Sequence, residues 1–311
     1  MERIFEYQLK KEDLEDTNGG RVIWILRRRI GLTAHEFRHA KYTPQGICVR
    51  HPDGSGRKVM LNELLFPGDT LVVRLTDSDL SVNELDVVAS KGELEILYED
   101  EDAIVINKPA GVVVHPSHGH YADSIANYLA WYFGGKRQQV IPRAVGRLDK
   151  ETSGALLFAK NRAAAARLFA QRKNGKMGRR YIALAQGVFP ERKGTVEKPI
   201  CPAPGSDTKR CVCRPGEGQE AYTEYTVLRE INVEDKTFSL LSVEIRTGRT
   251  HQIRVHMQSE GHPLAGDTLY GTGTSWFQRT MLHAAELWFE QPFSGKPVRL
   301  TAPFPEDFRN L

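Results

Sequence analysis

No stretch of about 18 consecutive apolar residues occurs in the sequence, so it offers no transmembrane helix. The first residues, Met1 to Lys11, are charged and lack the apolar core of a secretory signal. Cysteine is scarce, four in 311 residues, which excludes a disulfide scaffold. Tandem repeats and low-complexity tracts are missing as well. These absences make a cytoplasmic protein with reduced thiols and no membrane partner the expectation. What is present is ordinary for a folded chain. Hydrophobic residues make up 40% and charged residues 26%, which argues against a disordered or collagen-like chain. At roughly 150 residues per domain, the length suggests about two domains.

A large net charge is also absent, at +4, but the distribution is uneven. Arg21 to Met60 carries nine Lys and Arg against two acids, a local +7. Leu61 to Ile106 carries two bases against twelve acids, a local −10. Asn161 to Arg180 carries seven bases and no acid. Two basic islands around an acidic stretch suit a phosphate backbone, which attracts cations without reading sequence. A solvated charged face is the plainer alternative.

The first 20 residues are acidic and end in Asn18-Gly19-Gly20, a break signal. Thr33 and Glu36 fit a capping box, which predicts a helix to about Tyr42 that stops at Pro44 to Gly46. Ile47–Val49 and Leu71–Leu75 read as strands, completing a small α/β module. Asp77 to Ser90, acidic and polar, reads as a linker. The expected domains are therefore 1–86, module and linker, and 87–311. Beyond Glu93, Ala103–Asn107 and Ala155–Ala159 read as strands, and Asn161 is placed to cap a basic helix to about Lys173. Phe238 to Ile245 alternates, with Leu241, Val243 and Ile245 on one face. Thr250 is placed to cap a helix carrying Ile253 and Met257. Leu287–Phe293 and Val298–Ala302 flank a Ser294-Gly295 hairpin turn. Strands outnumber helices, which predicts an α+β fold on a mixed, mainly antiparallel sheet.

Three segments are candidates for chemistry. Gly146-Arg147-Leu148-Asp149-Lys150-Glu151-Thr152-Ser153-Gly154 sets a carboxylate in a loop before a buried strand, where catalytic groups tend to sit. The same residues are also good turn formers. Arg246-Thr247-Gly248-Arg249-Thr250-His251-Gln252-Ile253-Arg254-Val255-His256 gathers three arginines and two histidines at a strand-to-helix junction, donors suited to a phosphate or carboxylate. Arg179-Arg180-Tyr181 puts a tyrosine at the entry of an apolar strand, a place most often filled by a core tyrosine.

Taken together, these segments resemble the RluA-type pseudouridine synthases. The likeness runs from about Leu94 to the C-terminus. It includes Asn107-Lys108-Pro109-Ala110-Gly111, Val114-His115-Pro116, Arg147-Leu148-Asp149 with Thr152-Ser153-Gly154, and Tyr181. It continues through Thr247 to Met257, Gly261-His262-Pro263, Gly266-Asp267 and Leu282-His283-Ala284. The chain departs from many relatives at Gly146, where they carry histidine. Through its Leu32-to-Tyr42 helix and Pro67-Gly68-Asp69 turn, the N-terminal part resembles more loosely the small RNA-binding module shared with small-subunit ribosomal protein S-four. A longer Gly46-to-Asp53 segment replaces that module's compact turn.

The resemblance implies the pseudouridine synthase fold and a reaction that turns a uridine into its C-glycosidic isomer, with no cofactor and no metal. Asp149 would be the essential carboxylate, attacking the sugar or taking a ribose proton. Arg254 would pair with it, and Tyr181 would stack on a flipped uracil. Arg147 would fill the gap left by the flipped nucleotide. Arg249, His251 and Leu282 would complete the substrate-binding set. Lys108 and Pro109 would brace the sheet. His115, His251 and His283 would bind metal only if brought together. Cys201, Cys211 and Cys213 lack C-x-x-C spacing and a nearby fourth ligand, which argues against zinc. The expected partner is structured RNA, ribosomal RNA of the large subunit first and transfer RNA second, bound by a monomer. Two rivals keep the fold: a non-catalytic ribosome-assembly factor, and a nucleoside hydrolase using Glu151 as a second carboxylate.

Overall fold

The computed structural model describes residues 2–76, 87–136, 140–272, 276–309 and 311. The chain divides into two compact units, Met1–Leu85 and Asp86–Leu311. As far as residue 86, the segment read as a linker lies outside the described residues. Among the described residues, no helix is long and apolar enough to cross a membrane.

The first unit contains β1 (Glu2–Gln8), α1 (Asp13–Asp16), α2 (Val22–Arg28), α3 (Ala34–Tyr42), β2 (Ile47–Arg50), β3 (Gly56–Lys58) and β4 (Thr70–Thr76). Its four strands form a sheet in the order β1-β4-β2-β3. The Thr33 capping box closes in both directions: Glu36 N–H donates to the Thr33 hydroxyl, and the Glu36 carboxylate accepts from Thr33 N–H. Val22, Ile25, Leu26 and Phe37 of the helices and Ile47 and Val73 of the strands are buried. Strand β1 was not anticipated in the acidic N-terminal stretch. It pairs with β4 over its whole length, from Glu2↔Thr76 to Gln8↔Thr70, and Glu6 is tied to Arg50 at 2.7 Å. Cross-strand partners decide this element, and its local composition does not advertise it.

The second unit is built on a ten-stranded sheet. Its strands are β5 (Glu95–Glu99), β6 (Ala103–Lys108), β7 (Arg143–Ala144), β8 (Ser153–Ala159), β9 (Gly178–Gln186), β10 (Lys193–Val196), β13 (Thr223–Val233), β14 (Lys236–Ile245), β15 (Leu282–Glu290) and β16 (Pro297–Thr301). The order is β10-β13-β14-β9-β15-β8-β6-β5, with β16 on β15 and β7 on β8. A separate hairpin pairs β11 (Ile200–Pro202) with β12 (Arg210–Val212). Helices α4 (Ile125–Gly135), α5 (Arg162–Lys173), α6 (Gln252–Ser259) and α7 (Glu306–Arg309) complete the unit. Pairing within the ten strands is antiparallel except where β15 runs parallel to β8, at His283↔Ser153 and Ala284↔Gly154. That inserted strand brings β8 and β9 to either side of Leu282–Ala284, and this positions the site. Gly154, at φ 110°, permits the close approach, because a Cβ there would stand 2.3 Å from the Ala284 carbonyl oxygen.

Every residue of β8 is buried. Ala164, Ala165 and Leu168 of α5 pack with Val105, Leu157, Leu287 and Phe289 in one cluster. Asn161 caps α5, its side chain accepting from Ala164 N–H at 2.8 Å. Two local expectations need correction. The hairpin strand expected from Leu287 begins at Leu282. Leu282 to Ala285 are buried in succession, which hides any alternation. Helix α6 is not capped by Thr250. His251 stands at its N-cap in the left-handed region, φ 57°, and the Gln252 side chain organises the turn by accepting from Arg249 N–H and the Thr247 hydroxyl.

His283 lies against Phe304 and Phe308, with Nδ1 2.9 Å from the Ser153 hydroxyl. Burial pushes its imidazole down to about 4, although the Ala302 carbonyl opposes the shift. An unfolded histidine titrates near 6.5, so between these values the unfolded chain binds a proton that the fold refuses. This contribution to stability is complete above about pH 6.5 and is lost as the pH falls toward 4. Unfolding midpoints measured across that range are expected to fall less steeply for His283→Asn than for the wild type. Equal slopes would remove His283 as a cause.

Candidate active site

Asp149 lies in the loop that leads into β8, and the backbone of that loop is held from two sides. Lys108 is fully buried, and its Nζ donates to the carbonyls of Pro109 and Val112 at 2.7 Å and of Lys150 at 2.9 Å. Burial pushes this ammonium down to about 7, against the pull of Glu151 and Asp149. Arg279 donates to the carbonyl of Glu151 at 3.0 Å and is itself anchored by Asp307 at 2.6 Å. The two residues flanking Asp149 on its C-terminal side are thus pinned through their carbonyls, and its carboxylate remains free to face the pocket.

The carboxylate meets α6 there. Arg254 Nη1 lies 3.4 Å from Asp149 Oδ2. Its stronger partner is Asp267, bound in a fork: Nε to Oδ2 at 2.7 Å and Nη2 to Oδ1 at 2.9 Å. Asp267 is wholly buried and also accepts the amides of Leu269 and Tyr270. Burial works to lower the Arg254 pKa. The hydrogen bonds and charge of Asp267, with Asp149 behind them, hold it above the ordinary value. The pairing expected between Arg254 and Asp149 is therefore the outer half of a three-membered chain. Asp267 was the residue that sequence reasoning left without a role. Its only signal was its place after Gly266 in the shared motifs.

A second line of contacts reaches Asp149 through His251. The Tyr270 hydroxyl accepts the Arg210 amide at 2.8 Å and lies 2.9 Å from His251 Nδ1. A hydroxyl that accepts one bond is free to donate to Nδ1, which leaves the Nε2 proton facing Asp149 Oδ2 at 4.0 Å. Burial lowers the His251 pKa, and Asp149 only partly opposes this. The imidazole is accordingly neutral near pH 7, and the cation beside Asp149 is Arg254.

Tyr181, in β9, is 4% exposed. Its backbone lies opposite Val243 and Ala284. Asp149, Tyr181, Arg254, Arg147, Arg249, His251 and Leu282 all line one pocket of about 50 Å³. Arg147 is exposed at its edge, whereas Arg249 spends its Nε on the Glu220 carbonyl at 2.9 Å. Arg179 donates to the carbonyls of Val145 and Arg147 and so supports the loop from below. Glu151 does not line the pocket, and its charge acts on Lys108. Gly146 has φ 90°, and the guanidiniums of Arg172 and Arg179 occupy the space next to it. Among the described residues, no group of three His, Cys, Asp or Glu is arranged to hold a metal ion. Cys201 and Cys211 face each other across β11 and β12, with their sulfurs 3.7 Å apart.

The arrangement offers a carboxylate beside a fixed guanidinium, an aromatic face and an apolar wall, ringed by arginines. That set suits a planar base on an anionic chain. The family description RNA pseudouridylate synthase matches residues 102–259, a span that includes Asp149, Tyr181 and Arg254. The chain is 40% identical over 267 residues to the Bacillus subtilis protein called "Uncharacterized RNA pseudouridine synthase YhcT", covering 86% of this chain and 84% of that one. It is 40% identical over 231 residues to the "Ribosomal large subunit pseudouridine synthase D" of Zymomonas mobilis, covering 70% and 71%. Of solved structures, "Human RNA Pseudouridylate Synthase Domain Containing 1" is similar with a TM-score of 0.57 at 29% identity, covering 70% of this chain and 86% of that one.

Proposed function

The chain belongs to the RNA pseudouridylate synthase family and is an RNA-modifying isomerase, and from that premise we propose that it isomerises uridines of large-subunit ribosomal RNA through Asp149. The observation that carries this reading is the placement of the Asp149 carboxylate 3.4 Å from Arg254 in a pocket shared with Tyr181 and Leu282. The target uridine leaves its stack, Arg147 fills the gap, and the uracil lies against Tyr181. Asp149 then attacks the sugar or removes a ribose proton, and the bond from C1′ to N1 breaks. The freed uracil turns within the pocket, and its C5 bonds to C1′ as the bond from Asp149 to the sugar breaks or as Asp149 returns the ribose proton, so the carboxylate is regenerated. C5 loses its proton and N1 gains one, so the product is an isomer and no cofactor is consumed.

Ribosomal RNA is supported by relatives named for the large ribosomal subunit, among them the Zymomonas mobilis protein. The test is to incubate the protein with unmodified ribosomal or transfer RNA labelled with tritium at uracil C5. Tritium release from large-subunit RNA, with no free uracil, is the expected result. Release from transfer RNA alone would change the substrate class, free uracil would mean hydrolysis, and no release would leave a binding factor.

The N-terminal unit serves this reading as an RNA-binding module. Its helices carry guanidiniums over aromatic rings, Arg28 at 5.0 Å from Trp24 and Arg27 at 5.5 Å from Phe37. Removing residues 1–86 is expected to weaken binding to ribosomal RNA at least about tenfold and to flatten its salt dependence, while a short stem-loop is still modified. Filter binding across a salt series checks this, and unchanged affinity would reduce the basic island to a solvated surface.

A further inference from the structure

The last turn of α5 carries a guanidinium that has no part in the chemistry above. Arg172 projects between two loops: a Cβ at Gly146 would stand 3.0 Å from its Nη1, and one at Gly248 would stand 1.9 Å from its Nη2. Two side-chain-free positions, about a hundred residues apart in sequence, make room for one arginine. Among the described residues, the guanidinium of Arg172 makes no hydrogen bond and no ion pair. Burial lowers its pKa and the neighbouring Arg179 and Arg249 lower it further, with only Tyr181 opposing. A half-buried cation beside two others, with its fork unused, lacks an anion.

Arg172 also lines a cavity of about 450 Å³ that adjoins the catalytic pocket, and the two share Arg172, Arg179, Tyr181 and Ile245. That volume falls in the roughly 300–1,000 Å³ range of small-ligand sites. Arg246 lies over the Tyr222 ring at 4.2 Å, which gives the cavity a flat cationic wall, and Lys173 adds a further charge. Glu224 and Glu244 line it too. Glu244 is neutralised by Arg180 at 2.6 Å, so the four cations Arg172, Lys173, Arg179 and Arg246 prevail.

Resting on the assignment of the catalytic pocket to a flipped uridine, we propose that this cavity is a second nucleotide subsite. Arg172 grips the phosphodiester that joins the target uridine to its neighbour, and the neighbouring nucleotide lies along Tyr222 and Arg246. The subsite makes recognition depend on a dinucleotide step and keeps a lone uridine from being held.

The test uses the full-length protein and a stem-loop containing the target uridine. Arg172→Ala is expected to raise the Kd at least about tenfold, the scale of one charge-assisted hydrogen bond, and to reduce the salt slope by about 0.7–0.9. Arg172→Lys is expected to recover the salt slope but only part of the affinity. A neutral methylphosphonate placed at each linkage flanking the target should weaken the wild type at one of them and leave Arg172→Ala indifferent there. If both linkages cost the variant as much as the wild type, or if affinity and salt slope are unchanged in Arg172→Ala, the subsite is overturned. The methylphosphonate series on the wild type alone decides the matter should the alanine variant fail to fold: no effect at either linkage overturns the proposal. Tritium release by the wild type judges the catalytic pocket separately, because a synthase without this subsite still releases tritium and a misassigned pocket does not.

Discussion

Asp149→Asn is expected to abolish tritium release while RNA binding and the melting temperature stay near the wild-type values. The amide preserves the volume of the side chain and leaves an oxygen for Arg254. The loop itself is held by Lys108 and Arg279 through the carbonyls of Lys150 and Glu151, so its position does not depend on the carboxylate. What the substitution removes is the negative charge, and with it the ability to attack C1′ or to accept a ribose proton. Loss of a lone nucleophile or base in other enzymes costs about four to six orders of magnitude, and a fall of at least about three orders is expected here. Single-turnover tritium release on RNA that both proteins bind equally well makes the comparison. Turnover by the variant within tenfold of the wild type would sink the role of Asp149.

The second large effect is expected one residue removed from the chemistry. Asp267→Asn should lower the single-turnover rate by about 100-fold, although Asp267 does not line the catalytic pocket. Its fork on Arg254, at 2.7 and 2.9 Å, fixes the guanidinium that then reaches Asp149 at 3.4 Å. With the fork weakened, Arg254 turns toward the remaining carboxylate, and a misplacement of about 1 Å suffices for a loss of that size. Arg254→Lys should behave similarly, because one ammonium cannot bridge both acids in this geometry. Arg254→Met is a harsher change: it strands the buried Asp267 charge, at a cost of about 3–5 kcal/mol in stability. Asp267 acts by positioning, so the Kd for RNA should hold while the rate falls. A matching loss of affinity and rate, or a global drop in melting temperature that accounts for the inactivity, would reduce Asp267 to a structural role.

The parts of this architecture that were legible in the sequence are those signalled by near neighbours. The Thr33–Glu36 box and Asn161 marked the starts of α3 and α5 to the residue, because a cap is a contact between residues three apart. Strand β14 announced itself by alternation, since one of its faces is buried more deeply than the other. Strand β1, the early start of β15 and the start of α6 were not legible. The first depends on pairing with a strand some seventy residues away, the second is buried in succession, and the third turns on a left-handed His251.

The candidate site divides in the same way. The resemblance carried by the ordered motifs pointed to Asp149, Tyr181, Arg254, Arg147, Arg249, His251 and Leu282, and these residues line one pocket. Motifs name the groups that chemistry needs, but they carry no information about which partner holds each group. Asp149 and Arg254 are 105 residues apart, one before β8 and the other on α6, and they meet only in the folded unit, where β15 lies between β8 and β9. The division of Arg254 between two carboxylates, the triple carbonyl grip of Lys108 and the unused fork of Arg172 came from tertiary structure alone. Each depends on distances across the fold, and a buried charge is settled by whatever the packing brings within hydrogen-bond reach.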